Sequence, residues 1–162
     1  PSGKFEFSSE AVGAAGLNPV ISWIPRKVMP KDGEFYIVGG KQGIHSHTMT
    51  QNIACLNAIS REYHMERLWV SAQDAEKLGV QTGDTVEVAS SEHTGQVEAR
   101  VTQRLKPGVV FLPTHYGGDS PAQTRAYRYG IALTDFIPFD MEPGVGSMMS
   151  QEVAVTVKKV EA

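Results

Sequence analysis

The chain of 162 residues contains a single cysteine, Cys55. One thiol cannot complete an iron–sulfur cluster, an all-cysteine zinc site or an internal disulfide. Positive charge is also scarce: 15 Lys and Arg stand against 18 Asp and Glu, a net charge of −3, so the basic face that general nucleic-acid binding needs is missing. No apolar run approaches the roughly 20 residues of a membrane span, which argues against direct membrane insertion. There is no internal repeat, no low-complexity tract and no block of like charges. The chain opens on Pro1-Ser2-Gly3-Lys4 rather than Met, without a basic stretch followed by an apolar run. The expectation is an excised or processed piece whose chemistry lies partly on other sequence.

What is present points to one domain rich in turns. The length suits a single core, and 16 Gly with 9 Pro favour short strands over long helices. Residues 1–18 read as an irregular arm in which Phe5 and Phe7 alternate with polar residues and suit a short strand. Val20–Ile24 reads as a strand ended by Pro25, and Phe35–Val38 as a buried strand stopped by Gly39-Gly40. Residues 53–63 place Ile53, Cys55, Leu56 and Ile59 near helical spacing, which predicts a short helix with Cys55 on its apolar face, a buried inert thiol. Leu68–Val70 predicts a strand. Residues 71–79 predict a helix marked at both ends, with Ser71 as cap, Asp74 in the first turn and Gly79 as the left-handed stop. Alternation in Thr85–Val88 and Val97–Val101 predicts a hairpin turning at His93-Thr94-Gly95. Asp84 reads as a turn residue that caps its own loop. Val109–Leu112 and Val153–Val160 complete about seven strands, with one or two short helices. Such a pattern argues for a small barrel or sandwich.

Two loops carry candidate chemistry. Of the twelve residues from Lys41 to Asn52, nine carry side-chain donors, among them His45, His47, Thr48, Thr50, Gln51 and Asn52, and none is acidic. With Gly39, Gly40 and Gly43 at its entry, such a loop suits an oxygen-rich anion, because glycine lets amides approach and neutral donors satisfy the oxygens. A polar surface loop without a ligand remains the alternative. His45-Ser46-His47 also fits a metal site with His64 or His115 as third ligand, although no acidic residue or cysteine lies near to complete the set. The segment Thr114–Gly118 follows directly on a core strand, a rigid mounting point for a site. Arg125, Tyr127, Arg128 and Tyr129 mix cation and ring, which suits phosphate or partner contact as well as a solvated face.

Taken in order, these segments resemble the C-terminal domain of molybdopterin oxidoreductases of the dimethyl sulfoxide reductase family. The resemblance covers nearly the whole chain. Pro1–Phe7 looks like the linker before that domain, His45–Asn52 like its first cofactor loop, and Leu68–Val70 through Gly83–Val88 like its strand, Asp-Ala helix and Gly-Asp turn. Pro107–Phe111 and Thr114–Gly117 follow at the expected separation. The two loops are most similar to those of polysulfide and thiosulfate reductase catalytic subunits. The chain departs from the pattern where many members have an Asn before a Leu-Thr pair. Here Tyr129-Gly130-Ile131-Ala132 precede Leu133-Thr134, which leaves a contact there to the backbone of Gly130.

The resemblance implies a mainly β fold, a six-stranded double-psi β-barrel with a few short helices, spanning residues 19–162 after a 1–18 arm. It implies a molybdopterin guanine dinucleotide cofactor (bis-MGD) with molybdenum or tungsten, held by His45, His47, Thr48, Thr50, Gln51, Asn52, Asp74, His115, Tyr116 and Gly117. Asp74 would accept hydrogen bonds from a guanine or pterin amine. The metal's protein ligand and any iron–sulfur cluster would lie on the rest of the same catalytic subunit. An iron–sulfur electron-transfer subunit and a membrane anchor subunit would be partners, in a periplasmic or membrane-associated setting, with reduction of a sulfur compound as the expected activity. A stand-alone double-psi barrel binding or adaptor module, and a metal hydrolase using His45, His47 and His115, are the competing readings.

Overall fold

Alternation builds the barrel. In Thr85-Val86-Glu87-Val88-Ala89 the two valines are buried while their neighbours face outward, because successive side chains of an extended chain point to opposite faces. The computed structural model describes residues 3–20, 22–47, 49–142, 146–150 and 152–161. In it this pattern recurs in six strands: β1 (Glu34–Gly40), β2 (Leu68–Ser71), β3 (Thr85–Ala89), β4 (Thr94–Thr102), β5 (Val109–Pro113) and β6 (Ala154–Lys159). Each sends a pair of residues inward, from Phe35 and Ile37 on β1 to Val155 and Val157 on β6. Full burial of one large aliphatic side chain contributes about 1.5–3 kcal/mol, so this shared interior is the main source of stability.

The strands close in the order β1-β5-β2-β4-β3-β6. The β1–β5 and β2–β4 pairs are parallel and the other four are antiparallel. This is the mainly β, six-stranded double-psi barrel, with six strands where the sequence suggested about seven. Among the described residues three short α-helices accompany it, α1 (Glu10–Ala14), α2 (Ala54–Glu62) and α3 (Ala72–Leu78), with a 3-10 turn at Leu133–Phe136. The caps of α3 are as predicted. Ser71 Oγ accepts from the Asp74 amide, and Gly79 takes φ 65°. Among the described residues no helix is long and apolar enough to cross a membrane.

Several local expectations are corrected. Val20–Ile24 is not a strand: Trp23 and Ile24 are 83% and 78% exposed, and Val20 makes only an isolated bridge to Ser8; Ile21 lies outside the described residues. Phe5 and Phe7 form no strand either but meet edge-to-face on the surface. The arm instead holds α1, capped by Ser9. The β3–β4 turn is Ser90–His93, because Thr94 and Gly95 already pair with Ala89 and Val88; Ser90 Oγ accepts from the amides of Glu92 and His93 and takes the turn role assigned to the glycine. Cys55 is exposed rather than buried. Helix α2 buries Asn57 and Ser60, and Ile53 and Ile59 on the apolar side face outward.

One feature of the barrel positions the loops. Strands β1 and β5 are parallel neighbours, so both end at the same rim, with Gly40 opposite Pro113. The Thr114 amide and hydroxyl both donate to the Gly40 carbonyl, at 2.9 and 3.1 Å. The segments 41–52 and 114–118 therefore leave the barrel side by side. Gly39 and Gly40 are part of β1, not a flexible entry. A Cβ on Gly39 would lie 2.1 Å from Leu133 Cδ2, and one on Gly40 would lie 2.8 Å from the Phe111 ring.

Candidate functional site

The two loops meet around Ser60. This fully buried residue of α2 has its hydroxyl 2.5 Å from His45 Nε2 and 3.3 Å from the Tyr116 hydroxyl. On its other side His45 Nδ1 lies 3.2 Å from Thr50 Oγ1, which also accepts from the Ser46 amide at 2.9 Å. Tyr116 packs edge-to-face on both His45 and Tyr129. The Tyr129 hydroxyl donates to the Glu66 carboxylate and lies 3.1 Å from the Ser60 carbonyl, and Arg61 stacks over the Tyr129 ring at 4.1 Å. Buried polar groups are tolerated when bonded in this way, and here they tie α2 to the 41–52, 114–118 and 125–130 segments.

Asn52 and Asn57 complete the frame. Asn52 Oδ1 accepts from the amides of Arg125 (2.8 Å) and Ala126 (3.3 Å). Asn57 Nδ2 donates to the Gln51 carbonyl at 3.2 Å, and Arg61 donates to Asn57 Oδ1 and to the Arg125 carbonyl. Gly117 is the pivot of the second loop. It holds φ 75°, its amide donates to the Tyr129 carbonyl at 2.7 Å, and a Cβ there would lie 2.3 Å from the Ala132 nitrogen.

Among the described residues, two side chains on this frame have buried nitrogens with no partner, His115 Nε2 and Gln51 Nε2. Leaving a buried polar atom unpaired costs about 1–3 kcal/mol, and Trp69 Nε1 on β2 shares this state. The His115 and His47 rings stand 5.7 Å apart, both on left-handed backbone, and Lys41 Nζ lies 3.3 Å from His47 Nε2. Burial lowers the His115 pKa, and His47 and Lys41 push it further down; burial, then His115, lowers that of His45. Burial raises the Tyr116 and Tyr129 phenols, with Glu66 adding to both. Both histidine shifts favour the neutral imidazole at His45 and His115, beside the loop hydroxyls. Beside them His115, Tyr116, Gln123, Leu133 and Thr134 line a cleft of about 400 Å³.

Of the residues expected to hold a cofactor, the structure gathers His45, His47, Thr50, Gln51, Asn52, His115, Tyr116 and Gly117. Thr48 lies outside the described residues. Asp74 is not brought to the loops. Its Oδ2 accepts from the Ser71 hydroxyl (2.7 Å) and the Gly108 amide (2.8 Å), at the opposite end of β5, which at about 3.3 Å per residue places it roughly 20 Å from Thr114. Its visible role is to hold the hydroxyl of the capping Ser71 and to fix the turn before β5. The three-histidine metal reading is not supported, because both nitrogens of His45 are engaged within the protein. Among the described residues the one group of three ligating side chains within 4.8 Å is His64, Glu66 and Glu98, with Glu98 paired to Arg67 at 2.6 Å.

Sequence reasoning missed Ser60, Asn57, Arg61 and Glu66. A signal was available: Asn57 and Ser60 are three apart and share a face of α2. Apolar spacing on the opposite face outweighed it.

Residues 35–148 match the family model described as "Molydopterin dinucleotide binding domain". The chain is similar to the thiosulfate reductase molybdopterin-containing subunit PhsA of Salmonella typhimurium, with 25% identity over 92% of the chain and 19% of that protein. It is 27% identical to the dimethyl sulfoxide reductase DmsA of Escherichia coli, over 69% of the chain and 15% of that protein. It is also 33% identical to the F420-dependent formate dehydrogenase subunit alpha of Methanocaldococcus jannaschii, over 56% of the chain and 13% of that protein. The chain thus spans less than a fifth of the length of each. In fold it matches acetylene hydratase from Pelobacter acetylenicus with a TM-score of 0.80 at 14% identity, covering 99% of this chain and 24% of that one. With most of its length matched by the family model and its barrel and loops in place, the chain belongs to the molybdopterin dinucleotide binding domains of the dimethyl sulfoxide reductase family.

Proposed function

We propose that the chain is the cofactor-gripping domain of a larger catalytic subunit, and that the 41–52 and 114–118 loops at the shared rim of β1 and β5 hold the dinucleotide. The observation that carries this is the pair of unpartnered buried nitrogens, His115 Nε2 and Gln51 Nε2, set among the donors of the two loops. The group fits that donor set. Pterin, guanine and pyrophosphate present many acceptor oxygens and nitrogens, and the loop from Lys41 to Asn52 has no carboxylate to repel phosphate. When bound, the metal and its dithiolene sulfurs supply two-electron redox chemistry, and the protein supplies position and electrostatics. His47, Thr48, Thr50, Gln51, the Asn52 amide nitrogen and His115 are the groups we assign to direct contact. His45, Tyr116 and Gly117 hold the loops in shape.

We further propose a sulfur compound such as thiosulfate or polysulfide as the substrate of the whole enzyme. Similarity over 92% of the chain to a thiosulfate reductase subunit supports this. The metal's protein ligand and any iron–sulfur cluster belong to the remainder of the subunit, with an iron–sulfur subunit and a membrane anchor as partners. The test is metal and nucleotide analysis of the full-length subunit. Molybdenum or tungsten accompanied by guanine nucleotide is expected. His115→Ala and Gln51→Ala should each lower the nucleotide retained after gel filtration. Full retention in both variants would remove the loops from the cofactor site.

A further inference from the structure

The buried chain Tyr116–Ser60–His45–Thr50 has a direction, and we infer that it runs from Tyr116 to Thr50, fixing His45 as the Nδ1–H tautomer and leaving the Thr50 hydroxyl hydrogen for an acceptor oxygen of the bound ligand. The distances do not by themselves say which atom donates at each link. Counting hydrogens decides it. A neutral imidazole carries one N–H, and each hydroxyl carries one hydrogen and can accept.

If the chain ran from Thr50 toward Tyr116, His45 Nε2–H would donate to Ser60 and Ser60 to Tyr116. The Tyr116 hydrogen would then end in the interior, since among the described residues that hydroxyl has Ser60 as its one hydrogen-bond partner. Tyr116 is buried, and a buried donor without an acceptor is costly. A mixed arrangement, with both Tyr116 and His45 donating to Ser60, sends the Ser60 hydrogen to Met65 Sδ at 4.0 Å, a weak acceptor. The remaining arrangement satisfies every buried hydrogen with oxygen or nitrogen. Tyr116 donates to Ser60, Ser60 donates to His45 Nε2, and His45 Nδ1–H donates to Thr50 Oγ1. Thr50 already accepts from the Ser46 amide, so its two acceptor positions are filled. Its own hydrogen has no acceptor among the described residues. Thr50 is only partly buried, so this hydrogen is available to a ligand.

Ser60 and His45 are thereby positioning residues: they act on the ligand through Thr50. This gives the loop a threonine that can only donate, which suits phosphate, carboxylate or pterin carbonyl oxygen and disfavours a ligand amine. The tautomer follows from the protein alone; only the outward donor rests on the dinucleotide reading proposed above.

The test uses the full chain, nitrogen-15 labelled, at pH 7.5. Two-bond proton–nitrogen correlations distinguish a protonated Nδ1 from a protonated Nε2, and a His45→Gln spectrum assigns the signal. The wild type is expected to show Nδ1–H. Thr50→Val removes the acceptor and should switch His45 to Nε2–H, whereas Thr50→Ser should keep Nδ1–H. Nε2–H in the wild type overturns the direction, and no switch in Thr50→Val overturns the control of the tautomer by Thr50. Inorganic pyrophosphate is the ligand probe: Thr50→Val should weaken its binding about tenfold, as expected for a lost charge-assisted bond, with Thr50→Ser close to wild type. Equal binding by all three overturns the outward donor. That failure is separate from failure of the proposed function, which cofactor analysis of the full-length subunit decides on its own.

Discussion

Replacing Gly117 with alanine tests how tightly the second loop is locked to the barrel rim. Two costs add. At φ 75°, a Cβ in left-handed backbone costs roughly 1–2 kcal/mol. The same Cβ would lie 2.3 Å from the Ala132 nitrogen and 2.4 Å from the Ile131 carbonyl carbon, both backbone atoms that cannot rotate away. Overpacking of this kind typically costs about 1–3 kcal/mol more. The expected loss is therefore about 2–5 kcal/mol, a large share of the ~5–15 kcal/mol that holds a domain together. Gly108→Ala supplies the control. Its φ is 81° but no atom lies within 4 Å of the added Cβ, so it should lose only the conformational part. Urea unfolding followed by tryptophan fluorescence and by far-ultraviolet dichroism gives both values. If Gly117→Ala is no less stable than Gly108→Ala, the 115–118 loop does not nest against 131–132 as described, and the site geometry built on it fails with it.

Two further outcomes concern the histidines and the thiol. His45 and His115 are both held below the ordinary histidine value of 6.5, so near that pH the unfolded chain binds more protons than the folded one. Stability should be full above about pH 6.5 and decline as pH falls from there through the depressed folded values, then level off. His115→Asn, which tolerates left-handed backbone, should flatten part of that slope in urea midpoints measured from pH 7.5 down to 5; an unchanged slope would contradict the burial of His115. Cys55 is exposed, so the native chain should react with a thiol reagent at nearly the rate of the urea-unfolded chain. Strong protection would restore the buried reading.

The barrel was legible because its strands obey a local rule. Val86 and Val88, or Val110 and Leu112, advertise their faces by spacing alone, and Ser71 with Gly79 mark both ends of α3. Failures occurred where burial is decided at long range. Trp23 and Ile24 look like core, yet nothing in the described chain covers them. Helix α2 is amphipathic with its polar side inward, because the partners of Ser60 come from residues 45 and 116, distant in sequence. Gly39 reads as a breaker until Leu133, 94 positions later, is seen to occupy the space. Asp74 was read for its charge, and its visible work is to bond the Gly108 amide. The donor-rich character of the 41–52 loop was visible in the sequence. Which of its donors are used up internally was not.

The parallel pairing of β1 with β5 has a mechanical consequence. In an open sheet two neighbouring strands can slide by a register step and carry their loops apart. In a ring of six strands, each hydrogen-bonded on both sides, one pair cannot slide unless the others shift as well, and a single-residue slip would turn every inward side chain of the moving strand toward water. The spacing between the histidine loop and the His115 loop is thus protected by closure of the whole ring, not by the strength of the Gly40–Thr114 contact. Residues on either loop can be exchanged during evolution or engineering, and the gap they span will keep its width as long as the ring stays shut.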